Sequence, residues 1–379
     1  MHVLIVANGM PSAQNDLRGI FEWDQAKAIS KTGLEVDFFS VDLRSLRQIR
    51  PLGLRHGIKD GVRWHSVSIP VGAIHRPLLC KIGALALKEL YRIVFEDNGK
   101  KTDIVHAHST EVGCMSAYLV KEKGLPLVIT EHSSAMVQPM ISDDLRRIAE
   151  IGYSGADCVI AVSNFLKDAI YRYTGVVAQV VPNIVSSEFC YGKYTHKGMK
   201  FVSVANLNHG KRINVLVKAF AQLFKKYKDI SLEIVGDGNL REHLERLASE
   251  ERISDEVKFY GALPRQDINN LYKSCDCFVL PSAFETFGVA YIEAMAAGLP
   301  VIATRCGGPE DFVEESNGIL VPIDDVDALA DAMAYIYKNR NYFSGIRISE
   351  SIKEQFSGDV VVKKILHIYD GILGAHGKD

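Results

Sequence analysis

No run of about eighteen uncharged apolar residues occurs in this chain of 379 residues, which excludes an ordinary membrane-spanning helix. The opening MHVLIVANGM also lacks the basic flank and small-residue cleavage site of a secretory leader. The expectation is a cytoplasmic protein, at most peripheral to the inner face of the cell membrane. Seven cysteines, at 80, 114, 158, 190, 275, 277 and 306, fall into no zinc or redox spacing and read as reduced core residues. A net charge of -2 excludes a general nucleic-acid binder. Gly9 is followed by Met10, Pro11 and Ser12, so no G-x-G-x-x-G fingerprint supports a dinucleotide oxidoreductase. No nucleophile with an adjacent base stands out, and no cluster at metal-ligand spacing; neither a metal nor another cofactor is expected. The adjacent acids Asp143 and Asp144, and Asp324 and Asp325, read as helix-start or turn residues.

What is present is the composition of a globular protein, 47% hydrophobic and 24% charged, long enough for two domains. Apolar strand runs alternate with helical segments throughout, which predicts α/β units with parallel, doubly wound sheets covered on both faces. HVLIVAN, EVDFFSVD, DIVHAHS, LPLVITEH, ADCVIAVS and AQVVPN form a first series. FVSVANL, SLEIVGDG, VKFYGAL, CDCFVLPS, PVIATRC and GILVP form a second. Between them, residues 181 to 200 are rich in turn formers and follow neither period. The expected division is 1–183, a linker at 184–199, 200–358, and a last helix at 359–379.

The most informative stretch runs from Pro281 to Thr304, PSAFETFGVAYIEAMAAGLPVIAT. A buried strand precedes it and a helix opens near Gly288, which puts Glu285 in the turn and Glu293 about two turns inside. At the helical rise the two carboxylates lie roughly 12 Å apart at most. That separation suits the ends of one nucleoside diphosphate sugar, with Glu285 on the hexose hydroxyls and Glu293 on the ribose. The backbone N–H groups of Thr286, Phe287, Gly288 and Val289 would face the diphosphate, where the helix dipole favours negative charge. A glycosidase acid and nucleophile would need carboxylates facing each other across a bond at about 5 to 9 Å, which successive positions of one turn and helix fit poorly.

This turn, with its following run from Glu293 to Ile302, resembles the retaining glycosyltransferases of family 4, the group 1 glycosyl transferases, which have the GT-B fold. VPNIVSSEF and the segment from Asn8 to Val36 are similar to other parts of the family pattern, so the resemblance spans nearly the whole chain. It implies two Rossmann-like domains facing a central cleft, with the acceptor on the N-terminal one and the nucleotide-sugar donor on the C-terminal one. The last helix would cross back to the N-terminal domain. By the same resemblance His132 reaches the transferring sugar and Gly19 faces the diphosphate. Lys211 supplies positive charge to the leaving group, and Leu263 and Arg265 meet the base with their backbone, without separating uracil from guanine. Gly236 and Gly238 end a strand and open a helix, where a tight turn and a donor-site role are compatible. The chain departs from the family at Ala205 and Asn206, where Gly-Arg is usual; one phosphate cation is missing, and Arg212 is the candidate replacement.

The implied reaction is a front-face displacement with retention, in which the departing phosphate oxygen takes the acceptor proton and catalysis rests on positioning and electrostatics. Expected partners are a UDP- or GDP-sugar and a glycan or lipid-linked acceptor of cell-surface polysaccharide synthesis. Two alternatives share the architecture: a nucleotide-sugar 2-epimerase, and a non-catalytic nucleotide-sugar-binding module. Between Arg44 and Arg92 ten Lys and Arg residues face only Asp60 and Glu89, an excess of +8 interleaved with apolar residues. That stretch reads either as a solvated surface or as a patch for an anionic membrane or phosphate-bearing acceptor. Arg47, Arg50 and Arg55 belong to it.

Overall fold

The structure, a computed structural model, describes residues 1–11, 19–44, 52–71 and 74–376. The chain divides into two compact units, Met1–Ile184 with Gly358–Asp379, and Val185–Ser357.

In the first unit β1 (His2–Ala7) leads to α1 (Ile20–Ser30), β2 (Glu35–Arg44), β3 (Gly53–Lys59), β4 (Val62–Pro70) and α2 (Arg76–Tyr91). Then follow β5 (Ile104–His108), α3 (Thr110–Lys123), β6 (Leu127–Glu131), α4 (Asp143–Ser154), β7 (Cys158–Ala161), α5 (Asn164–Thr174) and β8 (Gln179–Val180). The sheet order is β3-β4-β2-β1-β5-β6-β7-β8. Val3 to Ala7 of the central β1 are fully buried, as a strand covered on both faces requires. Ser142 and Ser163 start α4 and α5 by accepting the N–H groups of Leu145 and Leu166.

The second unit holds β9 (Met199–Val204), α6 (Ile213–Lys226), β10 (Ile230–Val235), α7 (Arg241–Glu250), β11 (Val257–Gly261) and α8 (Arg265–Lys273). It continues with β12 (Cys277–Leu280), α9 (Val289–Ala296), β13 (Val301–Thr304), β14 (Gly318–Val321), α10 (Val326–Lys338) and α11 (Gly345–Phe356). Its sheet is parallel throughout, in the order β11-β10-β9-β12-β13-β14. The final α12 (Gly358–His376) belongs to the first unit, where Val361, Val362, Ile365 and Tyr369 pack with Trp23, Ala26 and Ile29 of α1. Each such side chain contributes about 1.5–3 kcal/mol by leaving water.

Two features depart from the sequence reading. The first sheet is not wholly parallel: β3 runs antiparallel to β4 through a turn with Asp60 at φ 53° and Gly61 at φ 79°. Asp-Gly is the dipeptide that two-residue hairpins of this handedness favour. The basic stretch is also partly neutralised from outside itself. Arg63 Nη2 lies 2.9 Å from Glu35 and 2.8 Å from the buried Asp37 on β2, Lys88 2.6 Å from Glu122, and Arg92 2.7 Å from Asp97. Burial alone would raise the Asp37 carboxyl, but His2, His65 and Arg63 hydrogen-bond to it and hold it well below the usual range. Arg47 and Arg50 lie outside the described residues.

Candidate functional site

Strand β12 delivers the chain into the turn that carries Glu285, and neighbouring loops clamp this turn on two sides. Ala283 N–H donates to the Gly210 carbonyl at 2.8 Å, Glu285 N–H to Cys306 at 3.0 Å, and Gly308 N–H to Glu285 at 2.9 Å. Glu285 is buried, with 11% of its side chain exposed. One of its oxygens, Oε1, accepts both Lys211 Nζ at 2.6 Å and Ser282 Oγ at 2.7 Å. The residue assigned to sugar hydroxyls and the cation assigned to the diphosphate are therefore in direct contact in the free protein. Ser282 stands three residues before Glu285, and that Ser-x-x-Glu spacing is the sequence signal for this partner.

The helix α9 starts at Val289 after Gly288, whose φ of 94° suits glycine. The segment from Thr286 to Val289 leads into this helix N-terminus, where the peptide dipoles favour negative charge. Phe287 contributes only backbone to it, because its ring packs against Phe312 and Phe356. Glu293 is the fifth residue of α9, nearer the helix start than two full turns. Its Oε1 lies 3.5 Å from Arg265 Nη2. Arg265 heads α8 rather than sitting in the preceding loop, and its side chain, not only its backbone, reaches the acid assigned to ribose. Leu263 precedes it, half-buried in the turn after β11.

Beside Lys211 stands Arg212, the candidate replacement for the missing phosphate cation. This residue adopts a left-handed conformation at the start of α6, and its guanidinium donates to Asp324 at 2.8 Å and to the His209 carbonyl at 2.6 Å. It is engaged elsewhere while Lys211 meets Glu285. Asn206 is exposed in the loop after β9. Asp325 caps α10 through Ala328 N–H, and Asp143 and Asp144 occupy the first turn of α4, as helix-start acids do.

The glycines have local reasons of their own. A Cβ on Gly236 would stand 1.8 Å from the Ala205 carbonyl oxygen, and one on Gly238 2.4 Å from that of Leu207, so the loops after β9 and β10 require both. Gly19, at φ 67°, approaches Gly9 within the first unit: a Cβ there would meet the Gly9 oxygen at 2.3 Å.

His132 follows the last residue of β6 in the first unit. Its Nε2 lies 2.9 Å from His108 Nδ1, and the two rings stack with centroids 5.2 Å apart. Burial pushes its pKa down to about 4, against a hydrogen bond to the side chain of Asn183 that acts in the opposite direction. Glu131, facing away from it, is fully buried; its Oε1 accepts the N–H groups of His132 and Ser133, while Oε2 accepts the hydroxyls of Thr110 and Tyr153. Gln25, Thr130 and Tyr369 complete this neighbourhood, and nothing in their sequence spacing announces it.

Comparison with known proteins gives two family matches. Residues 193–352 match the model of "Glycosyl transferases group 1" and residues 23–189 that of "Glycosyltransferase Family 4". The chain is 27% identical to D-inositol 3-phosphate glycosyltransferase of Corynebacterium urealyticum, over 91% of this chain and 88% of that protein. To N-acetyl-alpha-D-glucosaminyl L-malate synthase of Bacillus anthracis it is 28% identical, over 72% and 75%. Among solved structures, sucrose-phosphate synthase from Thermosynechococcus elongatus superposes with a TM-score of 0.81 at 22% identity, covering 98% of this chain and 99% of that one. Anabaena HepE, crystallised with UDP and glucose, gives 0.75 at 19% identity over 98% and 99%.

Proposed function

We infer that this chain, which belongs to the family 4 glycosyltransferases and has the GT-B fold, moves a hexose with retention from a nucleoside diphosphate sugar to a glycan or lipid-linked acceptor. The observation that carries this reading is the shared oxygen of Glu285, which joins Lys211 and Ser282 to the turn leading into α9; we read its carboxylate as the one that binds the sugar. Lys211 and the helix terminus supply positive charge to the departing diphosphate, so the transfer is read as independent of a metal ion. The acceptor proton goes to the departing phosphate oxygen, and Glu285, released from Lys211, holds the hexose. UDP is the first donor nucleotide to test, since a structural neighbour was crystallised with it.

A screen of UDP-glucose, UDP-N-acetylglucosamine and GDP-mannose by thermal unfolding tests the donor. At one hundred times its dissociation constant a ligand adds about 2.7 kcal/mol. The donor that protects is then supplied with candidate acceptors, and the anomeric configuration of the product is read by NMR. Protection by none of these sugars, or an inverted product, overturns the reading. Transfer that disappears in EDTA and returns with magnesium overturns its metal-free part.

The acceptor side is read as peripheral to an anionic membrane. Among the described residues Arg55, Lys59, Arg76 and Lys81 of the basic stretch carry no ion pair, and Leu54, Ile58, Leu78 and Leu85 are exposed beside them in sequence. Basic residues near such a surface contribute about 1 kcal/mol each, screened by salt. Changing Arg55, Arg76 and Lys81 to Glu is expected to abolish sedimentation with anionic liposomes and to leave UDP binding unchanged. Wild-type protein that ignores the liposomes at low salt makes the stretch a solvated surface.

A further inference from the structure

The imidazoles of His106, His108 and His132 form a chain whose direction follows from the hydrogen-bonding groups at its far end. All three are neutral: burial lowers His106 to about 3 and His132 to about 4, and holds His108 well below 6.5. A neutral imidazole has one donor nitrogen and one acceptor. Tyr369 on α12 is fully buried, and among the described residues the partner of its hydroxyl is His106 Nδ1, 2.6 Å away. A buried hydroxyl proton without an acceptor costs about 1–3 kcal/mol, so Tyr369 donates and His106 Nδ1 accepts. The proton of His106 is then on Nε2, 2.6 Å from Thr130 Oγ1.

Gln25 carries the assignment across. Its amide nitrogen lies 3.2 Å from the accepting Nδ1 of His106 and 3.4 Å from Nε2 of His108. An amide nitrogen only donates, so His108 Nε2 accepts as well and its proton sits on Nδ1. That proton is directed at His132 Nε2, 2.9 Å away. The proton of His132 is consequently on Nδ1. The N–H groups of His132 and Ser133, held at 2.9 and 2.7 Å by Glu131, fix the backbone beneath the ring.

We propose that Gln25 and Tyr369 are positioning residues that set His132, through His108, as the Nδ1–H tautomer, leaving the ring no basic nitrogen. With Nε2 taken by His108 and Nδ1 protonated, His132 acts as a hydrogen-bond donor that orients its partner. It does not remove the acceptor proton. This catalytic consequence rests on the proposed glycosyl transfer; the tautomer does not.

Selective ¹⁵N labelling of histidine in the whole ligand-free protein, with the His132 signals assigned by His132→Asn, reads the tautomer by NMR near neutral pH. The expected wild-type spectrum has His132 Nδ1 in the protonated range and Nε2 in the unprotonated range. Gln25→Leu is expected to mix the two tautomers at His132 and lower turnover of UDP-glucose about tenfold, with affinity for free UDP unchanged. Tyr369→Phe removes a single oxygen, keeps the test open should Gln25→Leu fail to fold, and is expected to act in the same direction. His132 protonated on Nε2 in the wild type, or a tautomer indifferent to both changes, overturns the proposal. A tautomer that shifts as expected in a protein that transfers no sugar leaves the relay standing and removes the proposed function.

Discussion

The two units present their site residues in opposite electrical states. In the second, Lys211 and Glu285 meet as full charges, with 26% and 11% of their side chains exposed. In the first, His106, His108 and His132 meet as uncharged rings in a buried hydrogen-bond chain. An ion pair at the edge of water can exchange partners: on the proposed function a diphosphate would replace the carboxylate at the lysine, and a sugar hydroxyl the lysine at the carboxylate. A neutral chain has fixed direction and nothing to exchange. On the proposed function the two states would serve different tasks, the exchangeable pair answering to the sugar nucleotide and the neutral chain holding a preset hydrogen-bond donor.

The largest expected effect breaks the charged half. Glu285→Gln removes the proposed hexose contact and is expected to lower turnover at least tenfold, about 1.4 kcal/mol of transition-state stabilisation. Because it also frees Lys211, the same change is expected to tighten binding of free UDP several-fold by calorimetry. Near-normal turnover, or UDP affinity that falls, would contradict an exchanging pair. Next comes Lys211→Ala, expected to weaken free UDP and UDP-glucose alike by about tenfold, since a charge-assisted hydrogen bond is worth roughly 1.5–3 kcal/mol and part is already spent on Glu285. Unchanged UDP affinity would remove Lys211 from the phosphate subsite.

Acid sharpens the contrast from the other side. His106 has a folded pKa of about 3, below its value of 6.5 when unfolded, so the unfolded chain binds its proton first as pH falls. Its contribution to stability is full above about 6.5 and declines by up to about 1.4 kcal/mol per pH unit below that. Urea unfolding between pH 7 and 5 is therefore expected to show a declining midpoint, and His106→Gln to flatten that decline. Equal slopes in the two proteins would mean that the ring is not held neutral. The smallest expected effect is that of Ser282→Ala, which removes one of the two donors to Glu285 Oε1. A cost of about 1 kcal/mol, or roughly fivefold in KM for the donor sugar with free UDP unaffected, matches one ordinary hydrogen bond. A larger loss for UDP than for the sugar would move Ser282 to the other subsite.

The same contrast explains what the sequence discloses. The charged site is built on one strand, turn and helix, so Ser282, Glu285, Gly288 and Glu293 are legible within a dozen residues. Lys211 needed the resemblance, and its contact with Glu285 crosses 74 residues. The neutral chain draws Gln25 from α1, His106 and His108 from β5, Thr130 from β6 and Tyr369 from α12, and no periodicity connects them. The resemblance singles out His132 and not the residues hydrogen-bonded along its chain. The two parallel series of strands were legible because buried strands read as uninterrupted apolar runs. The β3–β4 hairpin was missed in a stretch read for its charge, although Asp60-Gly61 marked the turn. Arg265 was expected to offer backbone, because a resemblance transfers positions more securely than side-chain partners.

Helix α12 has a consequence for the order in which the protein matures. The first unit takes Val361, Val362, Ile365 and Tyr369 into its core, yet these residues leave the ribosome after the whole of the second unit. Domains usually close in the order of synthesis. Here the part made first waits for a helix made after the second unit, and the nascent chain holds the α1 surface around Trp23 and Ile29 uncovered until α12 is available. A messenger truncated before Gly358 would thus yield a finished second unit attached to an unfinished first one, open to chaperone capture and proteolysis.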